Sequence, residues 1–254
     1  MISKRLRVKK YSLGYISDED LFHHVKETVE KYRFKIDLKK FNKNLIDPIK
    51  LTFDAKVYTK SIEEIIESEI IRQMDKSNTN HIGYFHQNIF KYIDASWYVP
   101  KQGFDLINEK EKIYVEIKNK HNTMNSASSQ KTYMKMQGML LDDAQNRCML
   151  VEVIVSKSQD APWQISLDGV SRKHEYIRRV SMDKFYELVT GEIDAFKKLC
   201  EVLPMVLDDV MEKLKEANIE NSVLKELNEI SPHLLQSLYL LSFSKYEGFN
   251  NFNV

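Results

Sequence analysis

Cysteine and glycine are scarce in this chain, and each scarcity removes a class of function. Two cysteines, Cys148 and Cys200, cannot make a disulfide framework or a four-cysteine zinc site. A reducing cytoplasm is the expected compartment. Seven glycines leave little material for a glycine-rich nucleotide fold, and neither GxGxxG nor GxxxxGKS/T occurs. HExxH and GxSxG are missing too. There is no run of apolar residues long enough to span a bilayer, so no membrane partner is expected. The basic start, Met1-Ile2-Ser3-Lys4-Arg5-Leu6-Arg7, has no apolar stretch behind it, so no secretory leader is expected.

What is present reads as a globular protein. Hydrophobic residues make up 43% and charged residues 30%, which excludes a disordered chain, and 254 residues suffice for a sizeable core. The net charge of +1 hides an asymmetry. Residues 201–254 hold nine acids and four bases, so the rest of the chain is basic. The 25 residues from Ile117 to Leu141 contain no acid but include Lys118, Lys120, Lys131 and Lys135. A polyanion could lie there without repulsion. Lys4 to Lys10, and Arg172, Lys173, His174, Arg178 and Arg179, are two further basic clusters that suit either DNA or a solvated face.

Local patterns predict the elements. Leu21, Phe22, Val25 and Val29 place a helix within Asp18–Lys40, and alternation predicts a strand over Leu51–Tyr58. Ser61 and Glu64 form a capping box before a second helix. Lys76–Asn80 reads as a polar break, followed by a helix from Ile82 to Ile93. Phe104–Ile107 and Lys112–Lys118 read as a hairpin, and Asn119–Gln130 as a polar segment before a helix over Lys131–Leu141. Met149–Val155 and Trp163–Leu167 are further strands, and Met182–Val189 is a helix between Ser181 and Gly191. From Ile193 onward the chain reads as helices broken near Pro204, Asn218 and Pro232. The order fits an α/β core sheet with a helical extension.

The pattern that carries chemistry is Asp105, then Ile113-Tyr114-Val115-Glu116-Ile117-Lys118. Strand side chains alternate, so Ile113, Val115 and Ile117 pack one way while Glu116 and Lys118 share the other face. Asp105 lies on the neighbouring arm of the hairpin. Two carboxylates on adjacent strands can converge on one hard divalent cation, and magnesium suits a site that adds waters and a phosphate oxygen. A lysine beside them can hold the attacking water. The histidines His23, His24, His81 and His86 lack partners at a zinc spacing and read as core or surface. Trp97, Trp163 and the aromatics at 84, 85, 90 and 92 read as core.

Asp105-x10-Glu116-x-Lys118 resembles the PD-(D/E)xK nuclease signature, with Pro100 five residues ahead of the aspartate rather than beside it. The segments 72–77, 80–87, 115–125, 128–133 and 185–191 look like the type II restriction endonucleases that cut GGNCC sites. The resemblance covers about residues 60–205. It implies a restriction-endonuclease-like core, a mixed β-sheet flanked by helices, with a helical C-terminal region. The whole chain would be one nuclease domain, 1–254, with an N-terminal helical and basic region (1–60), a catalytic core (61–170) and a mainly helical extension (171–254).

The same resemblance implies roles. Asp105, Glu116 and the carbonyl of Ile117 would bind Mg²⁺, Lys118 would position the water, and Gln87, or alternatively Glu69, would be the auxiliary group. Asn119, Lys120, His121, Asn122, Asn125, Ser128, Ser129, Gln130, Lys131 and Thr132 would contact DNA, without a division between bases and phosphates. The implied activity is hydrolysis of double-stranded DNA at a short palindrome, GGNCC or GGWCC, leaving 5′-phosphate ends. A homodimer is expected from the symmetry of such a site, with Leu234, Leu235, Leu238, Leu240 and Leu241 as apolar surface for pairing or as internal core. A cognate methyltransferase would be a functional partner rather than a bound one. A repair or junction nuclease with the same core, and a non-catalytic DNA-binding protein, are the competing readings.

Overall fold

A computed structural model describes residues 11–121, 124–167, 169–214, 220–246 and 249. Lys4–Lys10, Asn122 and Asn218 therefore lie outside the described residues. Along the chain the elements begin with α1 (Asp18–Glu30), β1 (Lys35–Ile36), α2 (Leu38–Phe41), a 3-10 turn (Asn42–Asn44), α3 (Pro48–Val57), α4 (Ile62–Asn88) and α5 (Phe90–Ile93). The hairpin β2 (Leu106–Asn108) and β3 (Ile113–Lys120) follows, then α6 (Ser126–Asp142), β4 (Arg147–Ile154), β5 (Asp160–Leu167) and β6 (Val170–Ser181). The chain continues through α7 (Met182–Thr190), α8 (Ala195–Leu214), β7 (Glu220–Asn221), α9 (Val223–Ile230) and α10 (Leu234–Phe243).

The chain divides into two compact units, Met1–Glu30 with Ile82–Lys213, and Lys31–His81 with Leu214–Val254. These bounds differ from the expected regions 1–60, 61–170 and 171–254, because each unit is assembled from two separate stretches. The first unit holds a five-stranded mixed sheet in the order β2-β3-β4-β6-β5. β3, β4 and β6 run parallel, and β2 and β5 pair antiparallel at the two edges. Parallel strands bury both faces under helices. On one face, Tyr133 and Met136 of α6 pack with Cys148, Leu150, Trp163 and Ile177. Ile113, Val115, Ile117, Met149 and Val151 are buried at the alternate positions, and α7 packs against β4 and β6. The second unit is built around Ile36, Phe41, Ile65, Ile66, Ile70, Leu227 and Leu238, with β1 and β7 paired in parallel.

Several local expectations are corrected. The strand expected over Leu51–Tyr58 is α3. Asp47 caps it by accepting from the Lys50 N–H at 3.0 Å, and Pro48 opens its first turn. The apparent alternation misleads because Phe53 and Val57 are exposed and only Leu51 of that set is buried. The polar break at Lys76–Asn80 does not occur, and α4 runs for 27 residues. Serine and asparagine lower helix propensity by only tenths of a kcal/mol each, about 0.5–0.7 relative to alanine. Pro204 does not end α8. The carbonyl it leaves unbonded is that of Cys200, an exposed position. α6 starts five residues earlier than expected, at Ser126, because Asn125 caps it through the Ser128 N–H at 2.8 Å. Strand β6 was not foreseen, and it carries the cluster Arg172–Arg179.

The C-terminal leucines answer the packing question locally. Leu234 and Leu238 are buried in the core of the second unit, with Leu241 against it. They do not supply a free apolar surface. Trp97, Trp163, Phe85 and Phe90 are buried as expected, whereas Tyr84 is exposed. No helix among the described residues is long and apolar enough to cross a membrane.

The capping box at the start of α4 is present, with Ser61 N–H donating to Glu64 at 2.8 Å and Glu64 N–H donating to Ser61 Oγ at 3.2 Å. Ser61→Ala is expected to cost about 1 kcal/mol of stability and Ser61→Asp close to nothing, read from urea unfolding midpoints. Equal midpoints for the wild type and the alanine variant would show that this cap contributes nothing.

Candidate active site

The site is made where the edge hairpin meets α6. Gly103 has φ of +99°, a conformation that strains any residue with a Cβ, and it turns the chain into Phe104 and Asp105. Asp105 stands one residue before β2, but its N–H still donates to the Val115 carbonyl at 2.9 Å. Its Oδ2 accepts from the Ile117 N–H at 2.7 Å. The hairpin thus holds Asp105 against the backbone of Ile117, beside Glu116. Glu116 and Lys118 share the face of β3 that α6 covers, as strand alternation requires.

Glu116 is clamped by two cations. Lys118 Nζ donates to Oε1 at 2.7 Å and Lys135 Nζ to Oε2 at 2.6 Å. Lys135 also reaches the Gly103 carbonyl at 3.3 Å and lies 4.1 Å above the centre of the Phe104 ring. Burial alone would raise the Glu116 carboxyl, but the hydrogen bonds and charges of Lys118 and Lys135 outweigh it and hold the group below its ordinary range. Asp105 goes the other way. Burial and the neighbouring Glu116 charge raise it, against the Ile117 N–H bond and the two lysines. One carboxylate is compensated and the other is destabilised by its neighbour.

That imbalance is what a divalent cation relieves. Among the described residues no group of three His, Cys, Asp or Glu side chains is placed to hold a metal. The donor set is therefore two carboxylates with any backbone carbonyl, water or substrate oxygen beside them. A hard, strongly hydrated cation accepts such a sparse set, whereas zinc prefers nitrogen and sulfur. The residues fit a divalent metal of the magnesium type.

An open cleft of about 520 Å³ adjoins this centre, lined by Glu116, Lys118, Ser128, Lys131, Thr132 and Lys135. Of the ten residues expected to face DNA, Ser128, Lys131 and Thr132 thus share a cleft with the two site residues. Others are differently engaged. Asn125 caps α6, and Gln130 donates to the Ser166 carbonyl at 3.1 Å. Asn119 is half-buried and Lys120 exposed, both still on β3, and Ser129 is half-buried on α6. Asn122 is outside the described residues. Gln87 sits half-buried in the last turn of α4, and no hydrogen bond joins it to Asp105, Glu116 or Lys118. Glu69 belongs to the second unit, where Arg72 engages both its oxygens at 2.6 Å and Gln73 donates at 3.0 Å.

Sequence reasoning missed two residues here. Lys135 was visible only as one base in the acid-free stretch, four residues after Lys131 and so on the same side of the helix. The second is Glu152 on β4, in register beside Lys118 and fully buried. Arg179 grips both Glu152 oxygens at 2.6 and 2.7 Å, and His121 Nδ1 lies 3.1 Å from each. A buried carboxylate surrounded by apolar strand positions had no sequence signal. Arg179 is therefore a structural member of its cluster. Arg178 is likewise paired, with Asp160 and Glu175, while Arg172, Lys173 and His174 are exposed.

Removing Arg179 would leave Glu152 charged and buried with a single histidine. Arg179→Ala is expected to lower stability by about 3 kcal/mol, and Arg172→Ala by no more than about 0.5, in urea unfolding. Equal effects would contradict the division of that cluster.

The profile of the Eco47II restriction endonuclease family matches residues 13–212. The type II restriction enzyme Sau96I of Staphylococcus aureus is 34% identical over 212 residues, covering 79% of this chain and 81% of that protein. The type II restriction enzyme Eco47II of Escherichia coli is 33% identical over 212 residues, covering 78% of this chain and 88% of that protein.

Proposed function

Because this chain belongs to the Eco47II restriction endonuclease family, and is thus a type II site-specific deoxyribonuclease of a restriction-modification system, we propose that it acts through Asp105, Glu116 and Lys118 as a PD-(D/E)xK nuclease. The substrate is double-stranded DNA at a short palindrome, GGNCC or GGWCC, and the metal is Mg²⁺. The observation that carries the assignment of the site is the pairing of a compensated and an uncompensated carboxylate beside two lysines, next to a cleft with no other acid among its described lining residues. The chain works as a single nuclease in the cytoplasm, where its cognate methyltransferase protects host sites.

Asp105, Glu116 and the Ile117 carbonyl would hold the ion. When bound, it supplies charge stabilisation at the scissile phosphate and a more acidic water. Lys118 orients the attacking water. The water oxygen loses a proton and bonds to phosphorus as the bond to the 3′-oxygen breaks, leaving a 5′-phosphate, and the departing 3′-oxygen takes up a proton to become a hydroxyl. Lys135 balances the Glu116 charge and, with Ser128, Lys131 and Thr132, offers donors to the phosphate backbone across the cleft. His121, oriented by Glu152, and Asn119, Lys120, Asn122 and Ser129 contact the duplex around it. Asn125 and Gln130 support that surface through their structural bonds. Gln87 remains the auxiliary candidate because it shares the unit of the hairpin, unlike Glu69.

Asp105→Ala and Glu116→Ala should each abolish cleavage of plasmid DNA in Mg²⁺ while duplex binding stays measurable. Lys118→Ala should lose about 10²–10⁴-fold in rate, the usual worth of a water-orienting or acid–base group. Wild-type cutting by either carboxylate variant would displace the site. Sequencing the ends of the fragments identifies the recognised sequence. Discrete ends within one palindrome support the reading, and structure-dependent or scattered ends would favour a repair nuclease.

A palindrome offers two identical half-sites, and a two-fold dimer matches it with two copies of one active site. Solution mass with a short duplex containing the site should correspond to two chains per duplex. One chain per duplex that still cuts both strands would refute the dimer.

A further inference from the structure

The second unit contains a concave basic surface that the nuclease centre does not use. Residues 31–43 hold six bases and a single acid, Asp37. Lys31, Arg33, Lys35, Lys40 and Lys43 line one open cleft of about 520 Å³, and none of the described residues that line it is acidic. The cleft lies wholly within the second unit. Two of the five cations are partly compensated, Lys35 by Glu220 at 2.7 Å and Lys40 by Asp37 at 3.5 Å. Lys31, Arg33 and Lys43 have no acidic partner within 4 Å among the described residues. The cations are brought together by the fold. Lys31 lies in a turn and Arg33 in the segment that leads into β1, while Lys40 and Lys43 come from α2 and the 3-10 turn after it.

Cations crowded round a concavity raise a positive potential there, because the low-dielectric wall concentrates the field. We propose that this cleft binds the phosphate backbone of duplex DNA, as a contact separate from the catalytic cleft. The proposal rests on the reading of the chain as a DNA endonuclease. A free phosphate shares the same chemistry, but two or three donors satisfy one phosphate. Five cations distributed over thirteen residues suit successive phosphates of a strand, each neutralised by a lysine or arginine with release of counterions. The contact carries no sequence information and adds affinity for any duplex.

The test measures binding of a fluorescent duplex lacking GGNCC and GGWCC, without metal, from about 50 to 200 mM salt. The triple variant Lys31→Ala/Arg33→Ala/Lys43→Ala should bind more weakly at low salt. Its plot of log K against log salt should be shallower by about 2–3, at ~0.9 per phosphate contact. The charge-conserving variant Lys31→Arg/Arg33→Lys/Lys43→Arg should keep the wild-type slope, and the single variants Arg33→Ala and Lys43→Ala should each flatten it by about 1 should the triple variant fail to fold. A slope change under about 1 for the triple variant, or under ~0.5 for both singles, overturns the proposal. Full displacement of the difference by millimolar inorganic phosphate, with no dependence on duplex length, also overturns it and makes the cleft a free-phosphate site. Because binding is read on non-cognate DNA without metal, a failed nuclease assignment would show in the Asp105 and Glu116 variants and leave this slope unaffected.

Discussion

Two carboxylates drawn out of water onto adjacent strands repel one another, and the arrangement persists only if cations stand beside them. In this protein Glu116 is held by Lys118 from its own strand and by Lys135 from α6. Among the described residues Asp105 has only the Ile117 N–H as a close donor, and it remains above its ordinary range. The rest of the first unit follows from keeping these groups together. The parallel strands β3 and β4 supply a rigid floor, α6 covers the polar face of β3 to bring in Lys135, and Gly103 permits the turn that sets Asp105 opposite Glu116.

The sheet uses a second buried carboxylate differently. Glu152 stands beside Lys118 across the β3–β4 pair, yet both its oxygens are taken by Arg179 and His121. A buried carboxylate bound on both oxygens by a guanidinium is held in one geometry, and it fixes the side chain it shares. His121, the residue after β3, is thereby tied to β4 and β6. Charge in the two clefts is arranged on another principle. Lys118 and Lys135 in the cleft beside Glu116 are paired with it, whereas among the described residues three of the five cations in the second cleft are left without an acid.

Legibility in the sequence followed the range of the interactions involved. The Ser61–Glu64 box, the hairpin around Asn108–Lys112 and the helix stop at Gly191 depend on neighbours within a few residues, and all three were readable. Leu51–Val57 misled because four apolar residues at alternate positions satisfy a strand pattern, while the Asp47 cap and Pro48 commit the backbone to a helix. β6 escaped notice because its outer half is exposed and highly charged, and it is stabilised by pairing with β5 rather than by its own alternation.

The sequence by itself determined the chemistry of the hairpin. Period-two alternation puts Glu116 and Lys118 on one face whatever surrounds them, and the motif with its flanking text identified the nuclease family. Only tertiary structure decided which other side chains complete the site. Lys135 meets Glu116 across 19 residues of sequence, Glu152 meets Arg179 across 27, and the cations of the second cleft gather from a strand approach and two helical turns. Such contacts depend on strand register and helix docking. In the first unit those are settled by burial of Tyr133, Met136 and Leu150 in one shared core, in the second by burial of Ile36 and Phe41, and no local pattern of residues encodes them.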